Sequence, residues 1–363
     1  MSVAMVMVAA CSSAMPVFDF QTDEASPIVA HRTFGMRLGE QHASLIKERF
    51  AAKAGLRDML REANTTDGSA LFRSFLALHE QHYPLAIAEL RGLADGSGVP
   101  FPAIFLQNVP EEFAACAAQL PGRAAAAVRP AATSPVDACS DLMVCGDGEQ
   151  SMCAVAHNED NNAEDRGTLI LVRARFGARS WVAATYAGEL SSGAFAFSRS
   201  GGFGYTLNWV DPTNVVCTGV ARGFVSHALL AATSFDAAVD LATSARMASG
   251  HNYQLFQTAE PARVINLEVA PRGLYAVRPI DSSVFFHANQ FETLTVPQTF
   301  GNSSVHRLKR VAELLHEHTP ATTADLLHIL GDQEDRQWPI FHDERSHARG
   351  DLADWTIATA LIE

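Results

Sequence analysis

No stretch of this chain is long and apolar enough to span a bilayer, so a membrane-spanning helix is not expected. No run of Lys or Arg forms a basic stripe, which makes nucleic acid a poor partner. No CxxC pair and no zinc-type spacing of Cys and His occurs, so no metal is called for. His79-Glu80-Gln81-His82 misses the HExxH spacing and reads as a solvated helix face. His316-Glu317-His318 and the stretch from His342 to His347 read as surface in the same way. A GxSxG serine elbow and a phosphate-cradling P-loop are both missing, so neither a serine triad nor a nucleotide cofactor is expected. There is no internal repeat.

What is present is a globular composition. The chain has 363 residues, 48% of them hydrophobic, and a net charge of −13. Mean hydropathy is +0.03 and the sequence pI about 5.5. That length supports one large domain or two modest ones. An acidic field can favour cationic amines, although most such charge is a solvated surface. The six cysteines, Cys11, Cys116, Cys139, Cys145, Cys153 and Cys217, are sparse for this size. Free thiols in a reducing compartment, with the cytoplasm as default, are therefore expected. Met1 to Ala10 is apolar and short and lacks a basic start, which makes it a weak leader candidate.

Met1 to Asp23 reads as a lead-in or first strand. A helical segment then opens near Phe34, with Leu38, Leu45, Ala52 and Met59 at two-turn spacing as one apolar stripe. Ser69 to Leu93 reads as helix with Leu71, Phe75, Leu78 and Leu85 on one face, stopped by Gly92 and the Asp95-Gly96-Ser97-Gly98 turn. Phe101 to Phe113 is a further short helix. After Cys139 the texture changes to strands: Cys139–Val144, Met152–His157, Thr168–Phe176, Ser180–Tyr186, Gly193–Ser198 and Gly204–Trp209. A helical stretch from Phe224 to Met247, broken at Ser234, separates them from a second set: Tyr253–Gln257, Arg263–Val269, Leu274–Val277 and Ser283–His287. Helices Ser303–His316 and Thr323–Leu330 follow, the latter with an N-cap at Thr322 or Thr323 and a stop at Gly331. Trp355–Ile362 is the last strand. Strands, helices, strands, helices in that order fit two sheets between helical layers.

The chain is organised around Asp137-Ala138-Cys139-Ser140-Asp141-Leu142-Met143-Val144 and Ala156-His157-Asn158-Glu159-Asp160-Asn161-Asn162. Two apolar runs joined by a loop predict a hairpin with a nucleophile at one end and a carboxylate at the matching end of its neighbour. Pro121 to Pro135, rich in Ala, Pro, Gly and Arg, reads as an exposed linker feeding that hairpin. Cleavage before Cys139 would put a new α-amino group on the nucleophile, with a reference pKa of about 7.7–8.0 that suits a general base. Judged alone, Cys139 reads rather as a buried structural thiol, since a free cysteine is usually a small core hydrophobe.

The chain resembles the isopenicillin N acyltransferase family of N-terminal-nucleophile (Ntn) cysteine hydrolases. The resemblance rests on Phe34-Gly35-Met36-Arg37-Leu38-Gly39, Glu89-Leu90-Arg91-Gly92-Leu93-Ala94-Asp95-Gly96, Cys139-Ser140, and His157-Asn158-Glu159-Asp160. It continues through Tyr186-Ala187-Gly188, Leu229-Leu230, Asn266-Leu267-Glu268-Val269-Ala270-Pro271, His287-Ala288-Asn289-Gln290-Phe291 and Asn302-Ser303-Ser304. It implies an α+β, four-layer αββα sandwich and a precursor that cuts itself between Ala138 and Cys139. Residues 1–138 would then form a helix-rich α subunit and 139–363 a β subunit, which stay associated. Cys139 would be the nucleophile, Asp160 the carboxylate that orients it, and Asn289 an oxyanion donor. The expected substrate is a small N-acyl amine, with no cofactor. His157, Asn158, Tyr186 and Asn208 are assigned to the substrate-facing set, although His157 and Asn208 also read as satisfied structural side chains. Glu159 reads equally as exposed or functional.

The chain also departs from the family pattern. Ala138 replaces the glycine often found before the nucleophile, and glycine eases strained backbone at a scissile bond. Asp141 puts a charge on the nucleophile strand. The Ser/Arg pair seen late in the acyltransferase has no clear match. The chain ends in what the resemblance makes the penultimate strand, so one sheet is expected to be cut short.

Overall fold

The computed structural model describes residues 5–9, 15–121, 139–145, 152–191, 193–257, 259, 261–281, 283–348 and 355–362. Cys11, Ala138 and nearly all of the linker expected over 121–135 lie outside them. The first third is helical: α1 (Pro27–Gln41), α2 (Ala43–Ala52), α3 (Ala54–Ala63), α4 (Thr66–His82), α5 (Pro84–Ser97), α6 (Phe101–Gln107) and α7 (Pro110–Ala118). Strands β1 (Met5–Ala9) and β2 (Val17–Thr22) precede them. The nucleophile hairpin is β3 (Ser140–Cys145) and β4 (Cys153–Asn161). The chain continues with β5 (Leu169–Phe176), β6 (Arg179–Tyr186), β7 (Phe195–Ser198), β8 (Phe203–Asn208), α8 (Arg222–Leu229) and α9 (Phe235–Ser244). It closes with β9 (His251–Gln257), β10 (Arg263–Ala270), β11 (Leu274–Pro279), β12 (Ser283–His287), α10 (Asn302–Glu317), α11 (Thr323–Leu330), α12 (Glu344–Ala348) and β13 (Trp355–Ile362).

These strands make two sheets, one in the order β1-β13-β4-β3-β12 and one in the order β11-β10-β9-β8-β7-β6-β5-β2. The second is a meander from β5 to β11, with β2 added in parallel to β5. Neighbouring side chains on a strand point to opposite faces. Leu142, Ala154 and Ala156 therefore pack with Val311, Leu326 and Ile329 of α10 and α11. Met143 and Val155 pack between the sheets, against Phe256 and Val264 of β9 and β10. On the far side, Ile170, Val172, Tyr205 and Leu255 pack against the Phe34, Leu90, Phe105 and Phe224 of the N-terminal helices and α8. The result is helix, sheet, sheet, helix: the α+β sandwich expected. The N-terminal segment interleaves with the rest, giving β1 to one sheet and β2 to the other. The edge beyond β13 is occupied by β1.

Several expectations are corrected. The stripe through Leu38, Leu45, Ala52 and Met59 is divided among α1, α2 and α3, and Ala52 is exposed. The helix over 69–93 breaks at Tyr83, because Pro84 cannot donate a backbone hydrogen bond and starts α5 instead. Gly92 does not stop that helix, which runs on to Ser97 and ends with Gly98 at φ 68°. A Cβ on Gly92 would lie 2.0 Å from the Arg32 carbonyl oxygen, and one on Gly35 would lie 1.9 Å from that of Glu89. Both glycines let α1 and α5 touch backbone to backbone. The helix over 101–113 is two helices, separated before Pro110. α12 was not expected. His79 is core: its Nδ1 bonds the Phe75 carbonyl and its Nε2 accepts from the Ala221 amide. His342 is also buried, at 1% exposure, rather than on the surface.

The free-thiol expectation fails at four cysteines. Cys116 is joined to Cys217, and Cys145 to Cys153, while Cys139 remains free. Sequence separation of 101 hid the first pair. Among the described residues no helix is long and apolar enough to cross a membrane.

Candidate active site

Cys139 stands immediately before β3 with φ 85°, a left-handed conformation that a side chain other than glycine rarely takes. Such a backbone costs of the order of 1–3 kcal/mol and persists where its surroundings hold it. Three contacts hold it here. Its amide donates to Asp160 Oδ2 at 3.2 Å. Its carbonyl oxygen accepts from Arg307 Nη1 at 2.5 Å, and the same nitrogen donates to Ser140 Oγ at 2.8 Å. Its thiol points at Glu159 Oε2 at 3.7 Å. Burial and the negative charges of Glu159 and Asp160 push the Cys139 thiol well above its ordinary range. In this state sulfur is a neutral thiol, and it needs a base to become a nucleophile.

Antiparallel pairing puts Ser140 opposite Asn158 and Asp141 opposite His157, so the nucleophile and carboxylate ends of the hairpin meet. The alternation of β4 sends His157 and Glu159 between the sheets. His157 Nδ1 lies 3.1 Å from Asp141 Oδ1, and Nε2 lies 3.1 Å from Glu159 Oε2. Burial favours the neutral ring, but these two carboxylates outweigh it and push His157 up to about 10. It is an imidazolium between two acids. Thr206 Oγ1 donates to Asp141 Oδ1 at 2.6 Å, and Tyr186 OH donates to Glu159 Oε1 at 2.7 Å. Both donors come from the opposite sheet, so the network also fastens β3 and β4 to β8 and β6. Burial raises Glu159 and raises Tyr186 well above its usual value.

Asn289, just beyond β12, reaches this site through Arg307. Arg307 Nη2 donates to Asn289 Oδ1 at 2.6 Å, while Asn289 Nδ2 donates to the Trp209 carbonyl at 3.0 Å. Arg307 is fully buried on α10, with Nε on Ser303 Oγ at 3.1 Å. The guanidinium fork thus binds Cys139 and Asn289 together.

A cavity of about 570 Å³ opens at Cys139, Glu159, Asp160 and Tyr186, and extends to Glu111, Arg222 and Trp209. Of the expected substrate-facing set, Tyr186 lines it; His157, Asn158 and Asn208 do not. Asn158 faces the opposite way, a correction with a clear cause. It lies on the other phase of β4, where Nδ2 donates to the Leu330 and Ile340 carbonyls and Oδ1 accepts from Thr359. Asn208 bridges the sheets, with Nδ2 on the His287 carbonyl and ring. Sequence reasoning missed Arg307, which nothing local distinguishes on an amphipathic helix. It left Glu159 undecided, although the alternation with His157 already put both on one face. Cys139, His157 and Glu159 lie within 4.8 Å of one another, but both ring nitrogens of His157 are taken by carboxylates, Nδ1 by Asp141 and Nε2 by Glu159.

With this geometry in view, comparison with known families is decisive. Residues 146–363, more than half of the chain, match the family described as acyl-coenzyme A:6-aminopenicillanic acid acyl-transferase. The chain belongs to that acyl-transferase family. Membership makes it an enzyme of the acyl-transfer and hydrolysis type, with an Ntn-like fold. The matched segment begins seven residues after Cys139 and contains Asp160, Asn289 and Arg307. Comparison with curated proteins gives no match.

Proposed function

We propose that the chain is a self-processing Ntn cysteine amidohydrolase that cleaves small N-acyl amines, such as β-alanyl amides of biogenic amines. Within the family, its sequence resembles N-β-alanyldopamine (carcinine) hydrolases. One observation carries the reading: Cys139, the one free thiol among the described residues, opens into the cavity while its own amide is bound to the Asp160 carboxylate. In self-cleavage, sulfur attacks the carbonyl carbon of residue 138 and passes its proton to the departing nitrogen. The thioester that results takes up water, leaving a carboxyl on residue 138 and an α-amino group on Cys139. That amine, held by Asp160, is then the base for the thiol that burial and carboxylates keep protonated. In turnover, sulfur attacks the acyl carbon, the amine leaves with the proton, and water hydrolyses the thioester. Asn289 is the proposed oxyanion donor, a role typically worth about 2.7–4 kcal/mol of barrier. Glu111, Glu164 and Asp211 line the cavity and suit a cationic amine.

The proposed cut divides the chain into 1–138 and 139–363, and the Cys116–Cys217 disulfide joins the two pieces across it. Intact mass in denaturant must therefore be read with and without reductant. A single mass that reduction resolves into two pieces, the second beginning at Cys139, supports the proposal, as does hydrolysis of β-alanyl amides that Cys139→Ala abolishes. One uncut chain that binds such amides without turnover would instead identify an inactive relative. The family description favours one further reading, transfer of the acyl group to an amine; an added amine that raises amide product over hydrolysis identifies it. Four paired cysteines remove the free-thiol basis for a cytoplasmic location and support an oxidising compartment.

A further inference from the structure

A second cluster of ionisable side chains lies away from Cys139, where α1, α5 and α8 meet. His31 Nδ1 is 3.2 Å from Glu89 Oε2, and His227 Nε2 is 3.2 Å from the same oxygen. One ligand atom from each of the three lies within 4.8 Å of the others. We propose that His31, Glu89 and His227 form a binding site for one divalent transition-metal ion of the Zn²⁺ class.

Four observations converge on it. First, both nitrogens face one carboxylate oxygen at 3.2 Å, close to the edge of a tetrahedron around zinc, about 3.3 Å for bonds of about 2.0–2.1 Å. Second, His227 Nδ1 donates to the Ser191 carbonyl at 3.1 Å. That bond fixes the ring and turns Nε2 toward Glu89, the outer contact that metal-bound histidines characteristically make. Third, Glu89 is 2% exposed and its Oε1 has no hydrogen-bond partner, so the two histidines alone leave this buried carboxylate under-satisfied. Fourth, the His31 side chain is 16% exposed, which gives an ion a path in. The backbone contact of α1 with α5 at Gly35 and Gly92 presets the His31–Glu89 spacing before any ion arrives.

The ion would join α1, α5 and α8 to the loop at Ser191, whose neighbours Glu189, Leu190 and Gly193 line the cavity. Its role is to stiffen that wall from behind. The test is titration of chelator-treated full-length protein with Zn²⁺ by calorimetry, and with Co²⁺ by visible absorption. One equivalent per chain is expected. Co²⁺ should show tetrahedral bands with no thiolate charge-transfer band. His31→Ala, at a partly exposed position, should weaken binding roughly 100-fold or more, judged against the 10–100-fold typical of losing only an outer contact. Cys139→Ala should bind as before. Absence of binding in the parent protein would overturn the proposal. So would undiminished binding by both His31→Ala and His227→Gln, or a thiolate band lost with Cys139→Ala, which would put the ion at the other cluster.

Discussion

The two faces of the β3–β4 hairpin are opposites built from alternate residues of the same strands. Toward α10 and α11 the face is mainly apolar, with Leu142, Ala154 and Ala156, and Asn158 and Ser140 are polar struts to the segments beyond. Between the sheets, Asp141, His157 and Glu159 are as deeply buried, yet charged. The apolar face is held by area removed from water. The charged face holds only because each carboxylate has a partner, His157 in the middle and Thr206 and Tyr186 across the gap. One face therefore supplies stability that tolerates approximate packing, and the other supplies chemistry that does not tolerate a missing partner.

That contrast can be broken or sharpened by experiment. The largest effect belongs to Cys139→Ala, which removes the nucleophile. Both turnover and the two-piece product on reduced denaturing mass analysis should vanish, while the thermal midpoint stays near that of the parent. Asp141→Asn leaves the buried imidazolium half-paired and should cost about 3–5 kcal/mol in denaturant unfolding, with turnover reduced. Leu142→Ala, on the apolar face, should cost about 2–5 kcal/mol through its cavity. Once folded, it should keep its Cys139-dependent cleavage, which denaturing mass would read. Asn158→Ala removes one strut and should cost about 1–3 kcal/mol. The last effect is read through pH rather than through the loss of a side chain. His157 titrates higher folded, at about 10, than its ordinary 6.5, so its contribution is complete below about 6.5 and lost as pH climbs through about 10. Thermal midpoints of the parent should fall over that window, and His157→Gln should flatten the fall.

Much of the architecture was legible locally. The α11 boundaries, Thr323–Leu330, follow from a capping box in which Thr322 and Asp325 exchange hydrogen bonds. Ser234 caps α9, which explains the break expected there. The strands from β5 to β11 were marked by turns and alternation. Other features depended on partners far along the chain. Gly92 reads as a helix stop until α1 is seen lying against it. Cys116 and Cys217 read as free thiols until the fold brings them together. Glu159 was undecided because burial of a carboxylate depends on Tyr186, on another sheet, coming to meet it.

The sequence by itself determined the α+β order of elements, the pairing of Cys139 with Asp160 across a hairpin, and the family resemblance. The element order and the hairpin are written in spacing and side-chain type over short range, whereas the resemblance rests on short segments spread from Phe34 to Ser304. Tertiary structure alone decided that Arg307 clasps Cys139 and Asn289, that Asn158 turns from the cavity, and that His31, Glu89 and His227 converge. The physical reason is reach. A turn, a cap or a strand phase is set within a few residues, whereas a buried charge is stable only where distant elements deliver its partner.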